Sequence, residues 1–199
     1  MKIVIIKYNA GNIRSVAFAL ERIGITPIIT DDANEIQSAD KVIFPGVGEA
    51  SSAMKYLSER KLDEVITSLT QPVLGICLGV QLMCNFSEEG NTKCLGIFNQ
   101  DVKKFSDIDA LAQGLKIPQI GWNTISDLKS PLFKNVSENA YMYFVHSYFV
   151  ELGENTIATT NYGINYSSAL NKNNFYAVQF HAEKSGEVGQ IILENFIRM

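Results

Sequence analysis

The first half of the chain alternates between short apolar runs and longer segments in which apolar residues recur every three or four positions. The short runs predict buried strands, which are almost continuously apolar in parallel sheets. These runs are residues 2–8, 26–30, 41–44 and 72–77. The longer segments, 13–23 and 51–69, predict helices that each present one apolar face. Strands that alternate with helices in this way indicate a parallel sheet with right-handed crossovers.

The second half changes to short strand-like segments separated by turns, and it ends in a helical segment at 185–199. The strand-like segments are residues 95–98, 115–122, 140–152, 156–162 and 175–180. They predict antiparallel strands added beside the parallel sheet. The whole pattern predicts an α/β fold, a three-layer sandwich around a central, mostly parallel sheet. No repeat, low-complexity tract or linker interrupts residues 1–199, so we expect a single domain.

Composition and charge exclude several classes of partner. Hydrophobic residues make up 46 % and charged residues 19 % of the chain, as in ordinary globular proteins. The formal charge is −4 and the Lys and Arg residues are scattered, which argues against a nucleic-acid partner. No apolar run approaches the ~18 residues of a membrane span, and the run after Lys2 is too short for a signal-peptide core. We therefore expect no membrane partner and a cytoplasmic location.

The cysteines point to a reducing compartment. Cys77, Cys84 and Cys94 are three in number and form no CxxC pair, which suits neither a disulfide framework nor a structural zinc site. The two histidines are not spaced as metal ligands either, so we predict no metal site. Cys84 and Cys94 do not lie at turns between elements, and we expect both to be packing residues.

Cys77 stands where the apolar run 72–77 ends and the next helical segment, LGVQLM, begins. Ligands of open α/β sheets bind at the carboxyl ends of the strands. Gly75 and Gly79 would ease a tight turn that exposes the sulfur, and the helix N-terminus would favour the thiolate. The same arrangement with serine is the Gly-x-Ser-x-Gly elbow, where the amide of the next residue, here Leu78, is an oxyanion donor. The alternative is that Cys77 is a small buried apolar residue.

A thiol nucleophile needs a base, and the chain offers His146 and His181. His181 follows the run 175–180, and a strand continuing to Glu183 would place both side chains on one face. Glu183 would then hold the imidazole in one tautomer, as the third member of a triad does. His146 lies inside an aromatic segment, where a core histidine with one hydrogen bond is the more common outcome. We therefore predict that His181 is the base.

The loop FPGVG, residues 44–48, follows the third predicted strand and should open onto the same sheet edge as Cys77. Because glycines let the backbone approach a ligand closely, an amide of Gly46, Val47 or Gly48 can supply a second oxyanion donor. A plain turn is the alternative. The phosphate-binding patterns GxGxxG and GxxxxGK[ST] do not occur, and we expect no cofactor.

GICLG around Cys77, FHAEKS with His181 and Glu183, and the upstream PGVG together resemble the class I, or triad, glutamine amidotransferases. Their order and separation match across nearly the whole chain. YNAGNI, PQIGWN and YFVHSYF are also similar to motifs of the glutaminase subunits of histidine biosynthesis, which supply ammonia to a cyclase subunit. The resemblance implies the flavodoxin-like fold of this family and a heterodimer with the cyclase.

The resemblance also implies roles for the residues of the predicted site. Cys77 would attack the side-chain amide of L-glutamine, and His181 would act as base and then as acid to the leaving ammonia. Glu183 would orient His181. The oxyanion would lie between the amide of Leu78 and an amide of residues Gly46 to Gly48.

Further positions match residues that bind glutamine or face the cyclase. Those implied to lie around the amino and carboxylate groups of glutamine are Gln81, Glu89, His146, Ser147 and Tyr148. Asn12 and Trp122 match positions at the cyclase interface. The residues alone leave other roles open: Gln81, one helical turn after Cys77, equally suits a solvated helix face. Glu89 suits a solvated loop charge, and Trp122 suits a half-buried aromatic.

Three other functions remain open at the level of sequence. The same glutaminase could serve another synthase, such as one that amidinates a sugar nucleotide, and stimulation by the true partner would distinguish these. A non-catalytic binding module would use Cys77 as a redox or structural thiol, and the intact set of Cys, His and Glu argues against it. A free-standing cysteine hydrolase of other amides would be strongly active without a partner.

Overall fold

The computed structural model describes residues 1–105 and 114–199, and all elements named below lie within these ranges. The strands are β1 (Ile3–Ile6), β2 (Ile28–Thr30), β3 (Lys41–Gly46), β4 (Val73–Cys77), β5 (Phe86–Ser87), β6 (Thr92–Lys93), β7 (Asp101–Lys104), β8 (Gln119–Ile125), β9 (Ala140–His146), β10 (Tyr148–Val150), β11 (Thr156–Tyr162), β12 (Ile164–Lys172) and β13 (Phe175–Val178). The α-helices are α1 (Ile13–Arg22), α2 (Ala33–Gln37), α3 (Ala50–Glu59), α4 (Leu62–Thr67), α5 (Leu78–Met83) and α6 (Gly186–Arg198). Short 3-10 turns lie at Glu89–Asn91, Pro131–Phe133 and Ala182–Lys184.

Most strands form one sheet in the order β2-β1-β3-β4-β13-β12-β10-β7-β5-β6, with β11 paired to β12. Strands β2, β1, β3, β4 and β13 are parallel, as the alternating pattern predicts. The sheet then continues antiparallel through β12, β10 and β7, while β8 and β9 form a separate antiparallel pair. Because β4 and β13 are parallel neighbours, the residues that follow them meet at one edge of the sheet.

Two apolar clusters cover the opposite faces of the sheet. Alternate residues of β1 contribute to different clusters: Ile3 and Ile5 pack with α1 and α6, whereas Val4 and Ile6 pack with α2 to α5. Each fully buried side chain of this kind stabilises the fold by about 1.5–3 kcal/mol. No helix within the described ranges is long and apolar enough to span a membrane.

Three predicted elements differ from those observed. The strand predicted over 140–152 is divided into β9 and β10, which belong to different sheets. The helix predicted over 51–69 is divided into α3 and α4, because Lys61 takes a left-handed conformation with φ 56° between them. Segment 95–98 is not a strand. Its backbone amides bond instead to the carbonyls of Leu82, Met83 and Cys84, which a helix leaves without partners at its C-terminus.

The hydrophobic pattern of the sequence also fails to predict two strands in the second half of the chain. The nine-residue β12 was not predicted, because its buried Ser167 and Ser168 interrupt the apolar pattern. Strand β7 carries one apolar residue among four and gives almost no strand signal. Both belong to the antiparallel half, where polar side chains on one face weaken the signal.

Helix α5 crosses the end of β3 at very short range, and Gly79 is the point of contact. A Cβ atom at Gly79 would lie 1.9 Å from the backbone carbonyl oxygen of Phe44 in β3. A Cβ atom at Gly75 would lie 3.0 Å from the sulfur of Met83 and 3.1 Å from the backbone of Gly79. Close packing therefore requires glycine at position 79, whereas a side chain at position 75 would need its neighbours to shift by a few tenths of an ångström.

Replacing Gly79 with alanine is expected to lower the free energy of unfolding by about 3 kcal/mol, although alanine is the better helix former. The added Cβ meets a backbone carbonyl, which yields only if β3 or α5 moves. Gly24→Ala is the control, because open space surrounds that position and only its φ of +81° opposes alanine, at about 1 kcal/mol. Urea unfolding compares the two variants. Equal losses would show that the Gly79 contact does not hold α5 in place.

Candidate active site

The turn from β4 into α5 places Cys77 at the edge of the sheet beside the end of β3. Cys77 has φ 54° and ψ −108°, a conformation that non-glycine residues rarely adopt and that is typical of strained functional turns. Gly46 of β3 is its partner in the parallel register. The turn opens into a cavity of about 290 Å³, near the lower end of the ~300–1,000 Å³ usual for small-molecule sites. The cavity is lined by Val47, Gly48, Cys77, Leu78, Gln81, Glu89, Pro118, Val145, His146, Ser147 and Tyr148.

His181 and Glu183 meet as predicted, although they do not lie on one strand. Strand β13 ends at Val178, and His181 precedes the 3-10 turn Ala182–Lys184, so the expected extension of the strand to Glu183 is wrong. The imidazole Nδ1 lies 2.7 Å from Oε1 of Glu183, and both side chains are buried. The same Oε1 accepts a hydrogen bond of 2.6 Å from the amide of Asn12. The 3-10 turn thus achieves the pairing that a strand was expected to provide.

These contacts set the charges of the pair. Burial alone would lower the pKa of His181, but hydrogen bonds and negative charge from Cys77 and Glu183 outweigh it and raise this pKa to about 10. Burial would raise the pKa of Glu183, but the hydrogen bond and charge of His181, together with the Asn12 amide, lower it. The site therefore holds an imidazolium and a carboxylate at neutral pH, with a proton available beside the sulfur.

Leu78, Val47 and Gly48, which were predicted to supply oxyanion donors, line the same cavity as Cys77. Leu78 is the first residue of α5, so its amide has no carbonyl acceptor within the helix. Val47 and Gly48 line the same cavity, and the Val47 carbonyl accepts a 3.3 Å hydrogen bond from the amide of Gly11. Gly46 lies deeper: a Cβ atom there would lie 2.0 Å from the hydroxyl of Tyr8. Glycine at this position lets Tyr8 pack beneath the loop.

Gln81 and Glu89 both line the cavity, and both are also held by the protein. The Gln81 amide nitrogen lies 3.0 Å from the Tyr148 carbonyl, and its side chain is buried, unlike that of a solvated helix face. A Glu89 oxygen accepts a 2.8 Å hydrogen bond from the amide of Ala50, the first residue of α3. Burial raises the pKa of Glu89 and outweighs the opposing effect of this hydrogen bond. The cavity thus presents fixed oxygen acceptors.

His146 lies in the cavity wall, but both of its ring nitrogens contact protein atoms. Nδ1 lies 2.7 Å from the Tyr148 carbonyl and Nε2 lies 3.3 Å from the Tyr166 hydroxyl. Burial lowers the pKa of His146 to about 4, against a smaller effect of the Tyr148 hydrogen bond. A neutral histidine held in this way shapes the cavity together with Ser147 and Tyr148.

The two positions predicted at a partner interface differ in their surroundings. Trp122 is 55 % exposed on β8 and packs edge to face on Tyr143, with the ring centroids 5.8 Å apart. Asn12 is only partly exposed, and its amide is engaged with Glu183. Asn12 therefore contacts the candidate triad directly, which the sequence did not indicate.

The prediction misses two buried polar side chains near the sulfur, Gln179 and Tyr8. The Gln179 amide nitrogen lies 3.8 Å from the sulfur of Cys77. Its position two residues before His181, on the same side of an extended chain, was an available signal. The Tyr8 hydroxyl is buried without a hydrogen-bond partner, and burial and the charge of Cys77 raise its pKa. Within residues 1–105 and 114–199, no group of three or more His, Cys, Asp or Glu side chains is placed to hold a metal ion.

Comparison with known proteins identifies relatives over the full chain. A family model described as glutamine amidotransferase class-I matches residues 4–199. Imidazole glycerol phosphate synthase subunit HisH of Bacteroides fragilis (strain YCH46) is 56 % identical over 199 residues, which is 100 % of both chains. The proteins of the same name from Bacteroides thetaiotaomicron and Haemophilus influenzae are 53 % and 49 % identical over 99 % of this chain, and over 99 % and 97 % of their own lengths.

Solved structures share the fold at low sequence identity. A putative GMP synthase protein of Thermoplasma acidophilum has a TM-score of 0.74 at 19 % identity, covering 100 % of this chain and 93 % of its own. PurLQS from Thermotoga maritima has a TM-score of 0.71 at 15 % identity, covering 99 % and 97 %. These similarities confirm the predicted α/β architecture.

His146→Asn is expected to reduce the loss in the free energy of unfolding between pH 7 and pH 5. Folding holds His146 neutral with a pKa of about 4, against 6.5 for an ordinary histidine. Between these values the unfolded chain binds more protons, so the free energy of unfolding falls as the pH falls, by about 2 kcal/mol between pH 7 and pH 5. Asparagine retains a donor for the Tyr148 carbonyl but does not titrate. Urea unfolding at the two pH values measures the effect.

The contribution of His181 to stability has the opposite pH dependence, and it cancels when His146→Asn is compared with the wild type. Because its pKa is raised from 6.5 to about 10, its stabilising contribution is complete below pH 6.5 and is lost as the pH rises towards 10. The wild type and His146→Asn share this dependence. An identical loss for both proteins between pH 7 and pH 5 would refute the assignment of a neutral, buried His146.

Proposed function

The chain belongs to the class-I glutamine amidotransferases, and we propose that it is the glutaminase subunit of imidazole glycerol phosphate synthase in histidine biosynthesis. The observation that carries the chemistry is the convergence of Cys77, His181 and Glu183 at one sheet edge beside a cavity. The full-length similarity to subunits of this synthase supports the pathway. In this assignment L-glutamine is the substrate, and glutamate and ammonia are the products.

Acylation follows from the charges at the site. The thiolate of Cys77 attacks the side-chain carbonyl carbon of glutamine, and the carbonyl oxygen becomes an oxyanion. The Leu78 amide and an amide of Val47 or Gly48 donate hydrogen bonds to this oxyanion. The His181 imidazolium gives its proton to the amide nitrogen as the carbon–nitrogen bond breaks. Ammonia leaves, and a γ-glutamyl thioester remains on the sulfur.

Deacylation uses the same groups in reverse. Neutral His181 takes a proton from water, and the hydroxide attacks the thioester carbonyl. The second oxyanion collapses, the carbon–sulfur bond breaks, and the sulfur leaves as a thiolate. The new γ-carboxyl group of glutamate loses its proton to solvent, so the thiolate and imidazolium are restored. Glu183 holds Nδ1 of His181 throughout, and the raised pKa of His181 favours the protonated form that each cycle begins with.

The rest of the cavity suits an amino acid. Glu89 offers a carboxylate oxygen and Gln81 an amide oxygen to an α-ammonium group. Ser147 and Tyr148 line the same cavity, at the point where the chain passes from β9 into β10. They offer polar contacts to an α-carboxylate. We infer that these residues orient glutamine with its side-chain amide at Cys77.

A cyclase partner fits the outer face of the β8–β9 pair. Ile120, Trp122 and Tyr141 project from this face, and each is more than half exposed. Val145, on the same face, lines the cavity beside Cys77. Exposed apolar side chains next to a reaction site are typical of a protein interface. We infer that the cyclase docks here as a heterodimer and receives ammonia directly, because free ammonia is mostly protonated and poorly nucleophilic at neutral pH.

The proposal includes a cytoplasmic location. Cys77, Cys84 and Cys94 are all buried free thiols, which suits a reducing compartment. The same compartment holds the small-molecule substrates of amino-acid biosynthesis.

Cys77→Ala is expected to lower glutamate formation at least about 1,000-fold, because thioester chemistry is then impossible. The measurement is glutamate release by the chain mixed with an imidazole glycerol phosphate cyclase and its nucleotide substrate. Cys84→Ala is the control, since this thiol bonds to the Val80 carbonyl within α5 and takes no part in the mechanism. Residual activity of Cys77→Ala near the wild-type level would exclude the thioester route, and a wild-type chain that no cyclase stimulates would point to another synthase.

Trp122→Ala is expected to raise the Kd for the cyclase about 30-fold, equivalent to about 2 kcal/mol, because exposed tryptophans often anchor interfaces. Isothermal titration of the two subunits measures the change. Leu152→Ala removes a similarly exposed apolar side chain after β10 and should leave the Kd unchanged. Equal effects of both substitutions would place the interface elsewhere.

A further inference from the structure

One buried amide near the reacting sulfur has no part in the mechanism above. Gln179 directly follows β13, and its side chain is fully buried. Its Nε2 lies 3.8 Å from the Sγ of Cys77, within hydrogen-bonding distance for sulfur. Its Oε1 lies 3.1 Å from Nε2 of Gln81. Gln179 therefore joins the wall of the cavity to the nucleophile.

The orientation of the side-chain amides of Gln81 and Gln179 follows from the backbone carbonyl of Tyr148, which can only accept a hydrogen bond. The Gln81 atom 3.0 Å from that oxygen must be the nitrogen. The same nitrogen faces Gln179, so the near atom of Gln179 must be its oxygen. The NH₂ group of Gln179 is then directed at Cys77. A chain of hydrogen bonds that begins at a fixed acceptor thus ends in a fixed donor to the sulfur.

We propose that Gln179 is a catalytic hydrogen-bond donor that holds the sulfur of Cys77 as a thiolate, and that Gln81 fixes its orientation. This inference rests on the proposed function and adds a group to its chemistry. A donor to the charged form of a group favours that form. The Val145 carbonyl, also 3.8 Å from Sγ, acts in the opposite sense because it accepts from the neutral thiol. Gln179 offsets this effect, and it stabilises the thiolate again as the leaving group of deacylation.

The charged and titratable groups around the sulfur leave a distinct role for a neutral donor. His181 supplies the charge and the transferable proton, with Glu183 behind it. Tyr8 stays a neutral phenol, since burial and then the charge of Cys77 raise its pKa. When His181 gives its proton to the leaving ammonia, Gln179 remains a donor. Because both N–H groups of Gln81 are engaged, only its oxygen is available for the ammonium group of glutamine.

The test is the pH dependence of Cys77 alkylation by iodoacetamide in the isolated full-length chain, with mass spectrometry to locate the modified cysteine. In Gln179→Met the pH of half-maximal rate should rise by about one unit, so the rate below it falls about tenfold. Gln179→Glu keeps the shape of the side chain but places an acceptor beside the sulfur, and it should move the midpoint further. Gln100→Met is the matched control, because Gln100 is another buried glutamine and does not contact Cys77.

Glutamine hydrolysis with the cyclase separates a chemical role from a structural one. For Gln179→Met, kcat should fall about tenfold at neutral pH and recover at higher pH, while KM changes less than about threefold. Circular dichroism identifies any variant that does not fold, and Gln179→Glu then decides the outcome. A folded variant with the wild-type alkylation profile would overturn the proposal. Alkylation requires neither glutamine nor the cyclase, so it decides the role of Gln179 even if the wild-type complex releases no glutamate.

Discussion

The site depends on how closely α5 packs against the end of β3. Only a residue without a side chain fits at Gly79, since any Cβ there would collide with the Phe44 carbonyl. This contact draws the first turn of α5 against the loop that follows β3, so the amide of Leu78 and the backbone of Val47 face one cavity. It also holds Cys77 in a backbone conformation that an isolated turn would not keep. The reactive geometry is therefore a product of main-chain packing.

The buried charges serve chemistry more than stability. Taking an imidazolium and a carboxylate out of water is costly, and a buried ion pair is weak evidence for a stable fold. His181 and Glu183 are kept charged because each has hydrogen-bonding partners within the protein. The structure places these partners on separate segments, with Cys77 on β4 and Asn12 before α1. The proton used in catalysis is thus held by contacts that exist only in the complete fold.

Features with a local trace in the sequence could be predicted, whereas those that depend on distant partners could not. The parallel strands are continuous apolar runs, and two glycines around a cysteine mark the elbow. His181 and Glu183 were identified as a pair, but they meet across a 3-10 turn, because spacing alone does not determine backbone conformation. The amide of Gln179 is oriented by Gln81, 98 positions earlier in the chain. β12 was missed for a related reason, since its buried Ser167 has hydrogen-bonding partners only in the assembled sheet.

Asn12 shows how a side chain at the start of a helix can serve the site and not the helix. A residue just before a helix commonly caps it, yet the Asn12 side chain makes no capping bond to α1 and is committed to Glu183. The helix thus begins with its leading amides uncapped by this residue. The backbone of Asn12 is left-handed, with φ 75°, a conformation that asparagine tolerates better than serine does. A designer who placed serine there for its usual capping preference would strain the turn into α1 and remove the donor behind the imidazole.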